Sequence, residues 1–335
     1  MARWLSLPAA VIALCCLAAC ATPQTDRVLQ RSDGLPAQAE LPDVRFFPQA
    51  VNECGPAALA MALHASGIAV TPEELTPLVF TPGREGSLQP DMITATRRHG
   101  RVAYPIKDLT SLLREVAAGT PVVVFQNLGL SWYPQWHYAV AIGYDLDSRE
   151  LILHSGETAR TRLSLATFEH TWERGGHWAI LALPPNHLPA TAEPLAYLTA
   201  VKGLEQAKQF AAAERAYATA LGRWPDDLLA LMGRGNALYA LGRKRDAASA
   251  FRAAVARHPD SGAALNNLAH VLADLGQYAE AERTARRALE LGGPFSETAR
   301  RTLDEIRAKG RTARVKPPSM KSSRAHLPGL ATRFG

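Results

Sequence analysis

Cys54 stands alone in the body of the chain. The other three cysteines, Cys15, Cys16 and Cys20, fall within or directly after an N-terminal apolar stretch. A single thiol without a disulfide partner is either a reactive group or a small buried hydrophobe, and its neighbours must decide between the two. They read Phe46-Phe47-Pro48-Gln49-Ala50-Val51-Asn52-Glu53-Cys54-Gly55-Pro56-Ala57-Ala58-Leu59. Pro56 suits the first turn of a helix, where its missing N–H costs nothing. Cys54 is therefore expected at a helix mouth, where unpaired backbone N–H groups and the positive end of the dipole lower a thiol pKa. Gly55 lets the backbone come close to a bound carbonyl. The Cys54 amide and the Gln49 side chain are the candidate halves of an oxyanion hole.

A thiol nucleophile needs a base, which comes from a distant part of the sequence. The candidates are His64, His99, His137, His154, His170 and His177. Only His137 opens a strand, in the run Trp136-His137-Tyr138-Ala139-Val140-Ala141-Ile142-Gly143-Tyr144-Asp145. His64 lies in the middle of the Cys54 helix, too far along to reach its start. His99 and His170 read as surface residues, and His177 as a structural histidine near Trp178.

The elements that must position these groups occupy residues 41–186. Helices are expected at 55–66, after the N-cap Thr71 with Pro72, at 91–99 and at 109–118, each of the first, third and fourth closed by a glycine. The pattern then changes to short β-branched or apolar runs at 121–125, 137–144, 150–154 and 177–183, with turn signals such as 145–148 between them. Helices followed by an antiparallel sheet make an α+β domain.

Gln49, then Cys-Gly-Pro-Ala-Ala-Leu-Ala-Met from Cys54, then Trp-His-Tyr before an apolar strand closing in Gly-Tyr-Asp, resembles the C39-like, papain-like cysteine peptidases of the bacteriocin-processing type. The similarity spans about 44 to 183. It implies Cys54 as nucleophile, His137 as general base and then acid, and Gln49 as oxyanion donor. The family's third residue, an Asp or Asn after the next strand, has no counterpart here: the place reads Leu153-His154-Ser155-Gly156-Glu157. Ser155 stands at that position, with Glu157 and Asp145 as alternatives. A hydroxyl orients an imidazolium more weakly than a carboxylate does.

The second segment, 194–308, repeats at a fixed interval of 34 residues. Ala213, Ala247 and Ala281 keep it, as do Tyr217, Phe251 and Ala285, then Ala220, Ala254 and Ala288, then Pro225, Pro259 and Gly293. Leu241-Gly242 and Leu275-Gly276 recur with the same period. The pattern resembles tetratricopeptide repeats at 194–227, 228–261 and 262–295, followed by a capping helix over 295–309. The expected fold is thus a papain-like α+β domain followed by an all-α solenoid whose concave face suits a protein partner or substrate.

The ends complete the organisation. Arg3, an apolar core from Leu5 and Leu17-Ala18-Ala19-Cys20 describe a signal peptide over 1–19, and the small residues before Cys20 resemble a bacterial lipobox. That resemblance implies acylation of Cys20, a membrane held through lipid, and, with Ala21 following, the outer membrane facing the periplasm. Residues 20–40 read as a flexible tether. The tail over 309–335 has seven Lys or Arg and no Asp or Glu, and is expected to be disordered. The net charge of +6 over 335 residues is mild and gives no argument for nucleic acid. No Walker loop, dinucleotide fingerprint or zinc spacing occurs, so no cofactor or metal is expected. The function these features imply is a membrane-anchored cysteine peptidase acting on a peptide or amide bond. Its alternative is an inactive papain-like fold serving as an envelope scaffold.

Overall fold

The computed structural model describes residues 21–31, 34–49, 53–84 and 86–315. The expected signal peptide, Cys20 and the tail after Val315 lie outside the described residues. The described chain forms two compact units, one ending at Ala250 and the other starting at Phe251.

The first unit opens with α1 (Pro23–Gln30) and β1 (Gln38–Glu40). Helices α2 (Cys54–Ala65) and α3 (Pro72–Val79) follow, then a small hairpin of β2 (Phe80–Thr81) and β3 (Gly86–Ser87), and α4 (Gln89–Arg98). After these come β4 (Val102–Ile106), α5 (Leu109–Ala117), β5 (Val122–Asn127), β6 (Trp136–Asp145), β7 (Glu150–Ser155), β8 (Thr158–Ser164), α6 (Leu165–Arg174) and β9 (Ala179–Leu183). The sheet is antiparallel in the order β4-β9-β5-β6-β7-β8, and β1 pairs with the far end of β6, Gln38 opposite Asp145. This is the expected α+β architecture.

Both faces of the sheet are covered, which is why its central strands are apolar throughout rather than alternating. On one face α2, α3 and α4 bury Leu59, Met61, Leu63, Leu75 and Met92 against Val123, Val140 and Ile180. On the other, α1, α5 and α6 bury Val28, Leu112, Val116, Phe168 and Trp172 against Val124, Ala139 and Leu181. The α2 sequence is small and apolar on all sides because that helix is buried almost all round. Thr71 and Glu74 form a capping box at the start of α3, as Thr71-Pro72 suggested.

The segment expected to be a tether is folded over much of its length. The first N–H groups of α1, those of Gln24 and Thr25, donate to the Glu169 carboxylate at 2.9 and 2.6 Å. The Leu109 N–H donates to Gln24 Oε1 at 2.7 Å. Val28 and Leu35 are buried. A composition rich in Pro and polar residues hid this, because the groups that fix α1 lie 85 to 145 residues away in sequence.

The repeats begin with α7 (Pro194–Gln206), α8 (Phe210–Arg223), α9 (Leu228–Ala240) and α10 (Lys244–Arg257). Helix α7 extends the α5-side core: Tyr197, Val201 and Leu204 join the cluster that holds Val102 and Tyr104. The connection ahead of it is pinned. Glu115, fully buried, accepts the N–H groups of Ala190 and Thr191 at 3.2 and 2.7 Å, and the Tyr104 hydroxyl donates to Thr191 O at 3.0 Å. A buried carboxylate is tolerable here because its oxygens are satisfied by donors.

The second unit contains α11 (Gly262–Asp274), α12 (Tyr278–Glu290) and α13 (Ser296–Val315). Its core includes Leu265, Ala288 and Ala299. Helix α13 runs past 309, so the first residues of the expected disordered tail are helical.

The 34-residue columns have physical content. Ala213, Ala247, Ala281, Ala220, Ala254 and Ala288 are all fully buried. Gly242 and Gly276 close α9 and α11 at φ +74° and +78°, with open space where a Cβ would stand, so glycine is selected by conformation alone. The matching place in the first repeat is Lys208, at φ +59°. A left-handed conformation penalises an L side chain. Lys208→Gly is therefore expected to stabilise the protein by about 0.5–1 kcal/mol, part of the relief being offset by the greater freedom of glycine in the unfolded chain. Thermal unfolding of the two proteins measures this, and a lower midpoint in the variant contradicts it.

Candidate active site

The ladder between β6 and β7 ends at Val140 opposite His154, so Tyr138 lies beyond it. Its peptide group is put to another use. The Tyr138 amide faces the Cys54 sulfur and favours its thiolate, and the Tyr138 carbonyl accepts from Gln49 Nε2 at 3.2 Å. Gln49 is fixed at its other end as well: the Gly156 N–H donates to Gln49 Oε1 at 2.9 Å. Both bonds leave the buried Gln49 amide with one further N–H. Cys54, His137, Gln49, Tyr138, Trp136 and Ser87 are among the residues lining one cleft of about 880 Å³.

Cys54 begins α2, and Glu53 before it makes no side-chain cap. The Cys54 and Gly55 amides are therefore free to face the sulfur, and both lower the thiol pKa, as does the Tyr138 amide. The net effect is nevertheless the reverse of the expectation. Burial is the largest influence and pushes the Cys54 thiol above its usual range. Burial also pulls His137 below the usual imidazole range. Both effects favour the uncharged forms, so at neutral pH the resting pair is thiol and neutral imidazole rather than thiolate and imidazolium.

Ser155 ends β7 at an irregularity in its pairing with β8, which turns its side chain to the head of β6. His137 Nε2 lies 2.8 Å from Ser155 Oγ. That leaves Nδ1 as the nitrogen able to take a proton from a thiol. Neither alternative third residue approaches. Asp145 sits at the opposite end of β6, accepting from the Asp147 and Ser148 N–H groups at 3.0 Å each. Glu157 is exposed.

Four of the other histidines are occupied elsewhere, and His170 is half-buried on α6. His154 is buried, with Nε2 3.0 Å from Val44 O and Nδ1 accepting from the Arg160 N–H at 3.2 Å, a pattern that fixes one neutral tautomer. His177 packs edge-on against Trp172 and lies 3.0 Å from Gln24 Nε2. His64 meets Phe47 edge-to-face, and His99 Nδ1 lies 2.8 Å from Ala95 O.

Sequence reasoning missed the β2–β3 hairpin, which brings Ser87 over α2. A Cβ on Gly55 would fall 2.2 Å from Ser87 Oγ, so Gly55 is required by this contact as well as by the site. The Ser87 hydroxyl is buried in the cleft wall without a hydrogen-bond partner among the described residues. The cleft floor is aromatic: Phe125 stacks on Trp136 at 5.2 Å and meets Tyr138 at 4.7 Å. Trp136 thereby lines the cleft.

A neutral resting pair has a kinetic signature. Alkylation of Cys54 by a small neutral electrophile is expected to climb continuously between about pH 6 and about pH 9, since the reactive thiolate fraction keeps rising below a raised pKa. A rate already level from mildly acid pH upward marks a preformed ion pair and contradicts the assignment.

No curated protein matches the chain. The family model described as Peptidase_C39 like family matches residues 41–180, and a tetratricopeptide repeat model matches 198–244 and 234–294. Among solved structures, a C39-like peptidase from Bacillus anthracis is 20% identical, with 43% of this chain and 96% of that one covered and a TM-score of 0.38. The tetratricopeptide domain of Sgt2 from Aspergillus fumigatus is 23% identical, over 41% of this chain and 92% of that one, with a TM-score of 0.35. The Yersinia enterocolitica type III secretion translocator chaperone SycD is 19% identical, over 35% and 83%, with a TM-score of 0.33. Residues 41–180 thus match the peptidase C39-like family, and residues 198–294 match tetratricopeptide repeats.

Proposed function

We propose that the protein is a membrane-anchored cysteine peptidase that hydrolyses a peptide or amide bond through a thioester on Cys54, while its repeats recruit a protein substrate or partner. The observation that carries this reading is the convergence of Cys54, His137 and Gln49 on one cleft, with His137 Nε2 held by Ser155. Cys54 Sγ attacks the carbonyl carbon as its proton passes to His137 Nδ1. The remaining Gln49 N–H and the Cys54 amide are the donors available to the oxyanion. The C–N bond then breaks, and the imidazolium gives its proton to the leaving amine. Water attacks the thioester with His137 again as base, which releases the acid and restores the thiol.

The anchor in this reading is an acyl group on Cys20, with the chain on the outer membrane facing the periplasm. It rests on the lipobox pattern in the sequence. The proposed mechanism calls on no cofactor.

A second reading is supported by two observations, the hydroxyl where a carboxylate is usual and the raised thiol pKa. Both slow a thiol hydrolase, and in the limit they leave an envelope scaffold that works through its repeats. The two readings part on one experiment. The full-length lipoprotein is treated at about pH 8 with a thiol-directed electrophile and, separately, with a peptide library read by mass spectrometry. Labelling at Cys54 and cleavage are expected, with cleavage falling by about a thousandfold or more in Cys54→Ala and in His137→Ala. Cleavage that survives both substitutions, or a wild type that neither labels nor cleaves, leaves only the scaffold.

Ser155 gives a graded test of the same site. Ser155→Asp places a carboxylate behind the imidazole, which stabilises the imidazolium formed during attack. Its kcat/KM is expected to rise about tenfold or more, and the acid limb of the pH profile to move to higher pH because His137 becomes a stronger base. Ser155→Ala is expected to lose roughly tenfold or less, with little change in that limb. An acid limb unmoved by the carboxylate means that Ser155 does not act on His137.

A further inference from the structure

Five of the twelve large hydrophobic side chains exposed among the described residues crowd into the β5–β6 hairpin: Leu128, Leu130, Trp132, Tyr133 and Trp136. Trp132 and Tyr133 are 81% and 74% exposed. The backbone beneath them is well tied. Asn127 Oδ1 accepts from the Gly129 and Gln135 N–H groups at 3.0 and 2.8 Å, and Leu130 and Tyr133 exchange a pair of bonds at 3.1 Å. The Arg174 guanidinium in turn donates to Asn127 O. A hairpin built this firmly presents its apolar side chains outward instead of folding them into the core. Concentrated apolar exposure of this kind marks an interaction surface.

The strand registers place this hairpin relative to the start of the described chain. It caps the end of the sheet that carries His137, and α6 finishes at the same end, where Arg174 meets Asn127. The first residues of α1 are fixed there too. Gln24 bonds to the start of α5 through Leu109 N–H and lies beside His177, just after α6. From there α1 runs to β1, whose Gln38 pairs with Asp145 at the opposite end of β6. Cleft, hairpin and chain start therefore share one end of the domain. Only Ala21 and Thr22 separate Cys20 from the docked α1, a span of at most about 10 Å.

We propose that the β5–β6 hairpin is a bilayer-interface contact, and that it and an acylated Cys20 together hold the cleft-bearing end of the domain against the membrane surface. The inference rests on the reading of Cys20 as the lipid anchor and extends it. Trp and Tyr favour the headgroup level, where their rings are buried and their polar edges stay wet, and leucines favour the acyl boundary below it. Exposed charges at this end are few and of both signs, Lys107 and Arg84 against Glu173. The contact is thus carried by apolar burial and is expected to change little with salt or with the fraction of anionic lipid. Substrates presented at the membrane surface reach the cleft without passing over the rest of the domain.

The test uses the purified lipoprotein in phosphatidylethanolamine–phosphatidylglycerol vesicles. Brominated lipids are expected to quench part of its tryptophan emission, and Trp132→Phe is expected to lose most of that part, the remainder coming from Trp136. In Leu130→Ser with Tyr133→Ser, Trp132 is expected to escape the lipid quencher and become open to acrylamide. Trp132 equally open to acrylamide with and without vesicles overturns the proposal. So does protection of Trp132 that depends on protein concentration or on added peptide instead of lipid, which assigns the hairpin to a second copy or to the substrate. Intact mass of the same sample reports the acyl group on Cys20 independently. An unmodified Cys20 sinks the anchor reading, while the quenching data still decide the hairpin. Labelling of Cys54 in the hairpin variants shows that the site itself remains folded.

Discussion

The peptide group of Tyr138 is the point on which the site depends. Strand β7 stops pairing with β6 two residues short of it, which leaves a donor and an acceptor of a central strand without ladder partners. Buried backbone groups must find partners elsewhere. The carbonyl finds one in the Gln49 side chain, and the N–H faces the Cys54 sulfur. The need to satisfy one peptide thus draws the head of α2 and the preceding loop onto the head of β6. His137 is the next residue along, so the same constraint brings imidazole and thiol into one cleft. The irregularity that lets β7 end at Ser155 also puts its hydroxyl behind the ring. One strand ending early accounts for four members of the site.

The electrostatics of this arrangement are a contest between local dipoles and desolvation. Three amides point at the sulfur and favour the thiolate, yet burial outweighs them. The helix-mouth argument correctly identified the donors and misjudged the balance, because it counted the amides without the apolar surroundings. Phe125, Trp136 and Tyr138 supply much of those surroundings. The same burial lowers the basicity of His137, and no carboxylate offsets it. In the proposed mechanism the proton moves only as a substrate carbonyl receives the electron pair. Charge then appears where the Gln49 and Cys54 N–H groups can meet it, and low polarity, which suppresses the resting ion pair, strengthens those bonds.

What could be read from sequence, and what could not, divides by the range of the interactions. Cys54 at a helix start depended on Pro56 two residues on; His137 at a strand start depended on the apolar run beside it. The repeats were legible because identical contacts recur every 34 residues, and the capping of α3 because Thr71 and Glu74 are neighbours. The α1–β1 segment escaped because nothing local stabilises it. Its helix is short, and the carboxylate that satisfies its first N–H groups is Glu169, far along the chain. Strand β8 escaped for a related reason. Its exposed polar residues carry no apolar alternation, and it exists because β7 offers it an edge.

That long-range tie changes what an anchor at Cys20 means. A flexible tether of some twenty residues lets a domain sample all orientations above a bilayer, so an active cleft faces the membrane only by chance. A helix docked through Glu169 and Leu109 leaves only Ala21 and Thr22 between it and Cys20, so on the proposed reading of Cys20 it also sets the direction from which a lipid arrives. Orientation then becomes a property of the fold rather than of the linker. The pinned connection at Ala190 and Thr191 does the same on the other side, joining α7 to the sheet through Glu115 without free play. On the proposed peptidase reading, a cleft whose domain is attached in this way meets substrates delivered to one fixed place, and its selectivity needs less from the cleft itself.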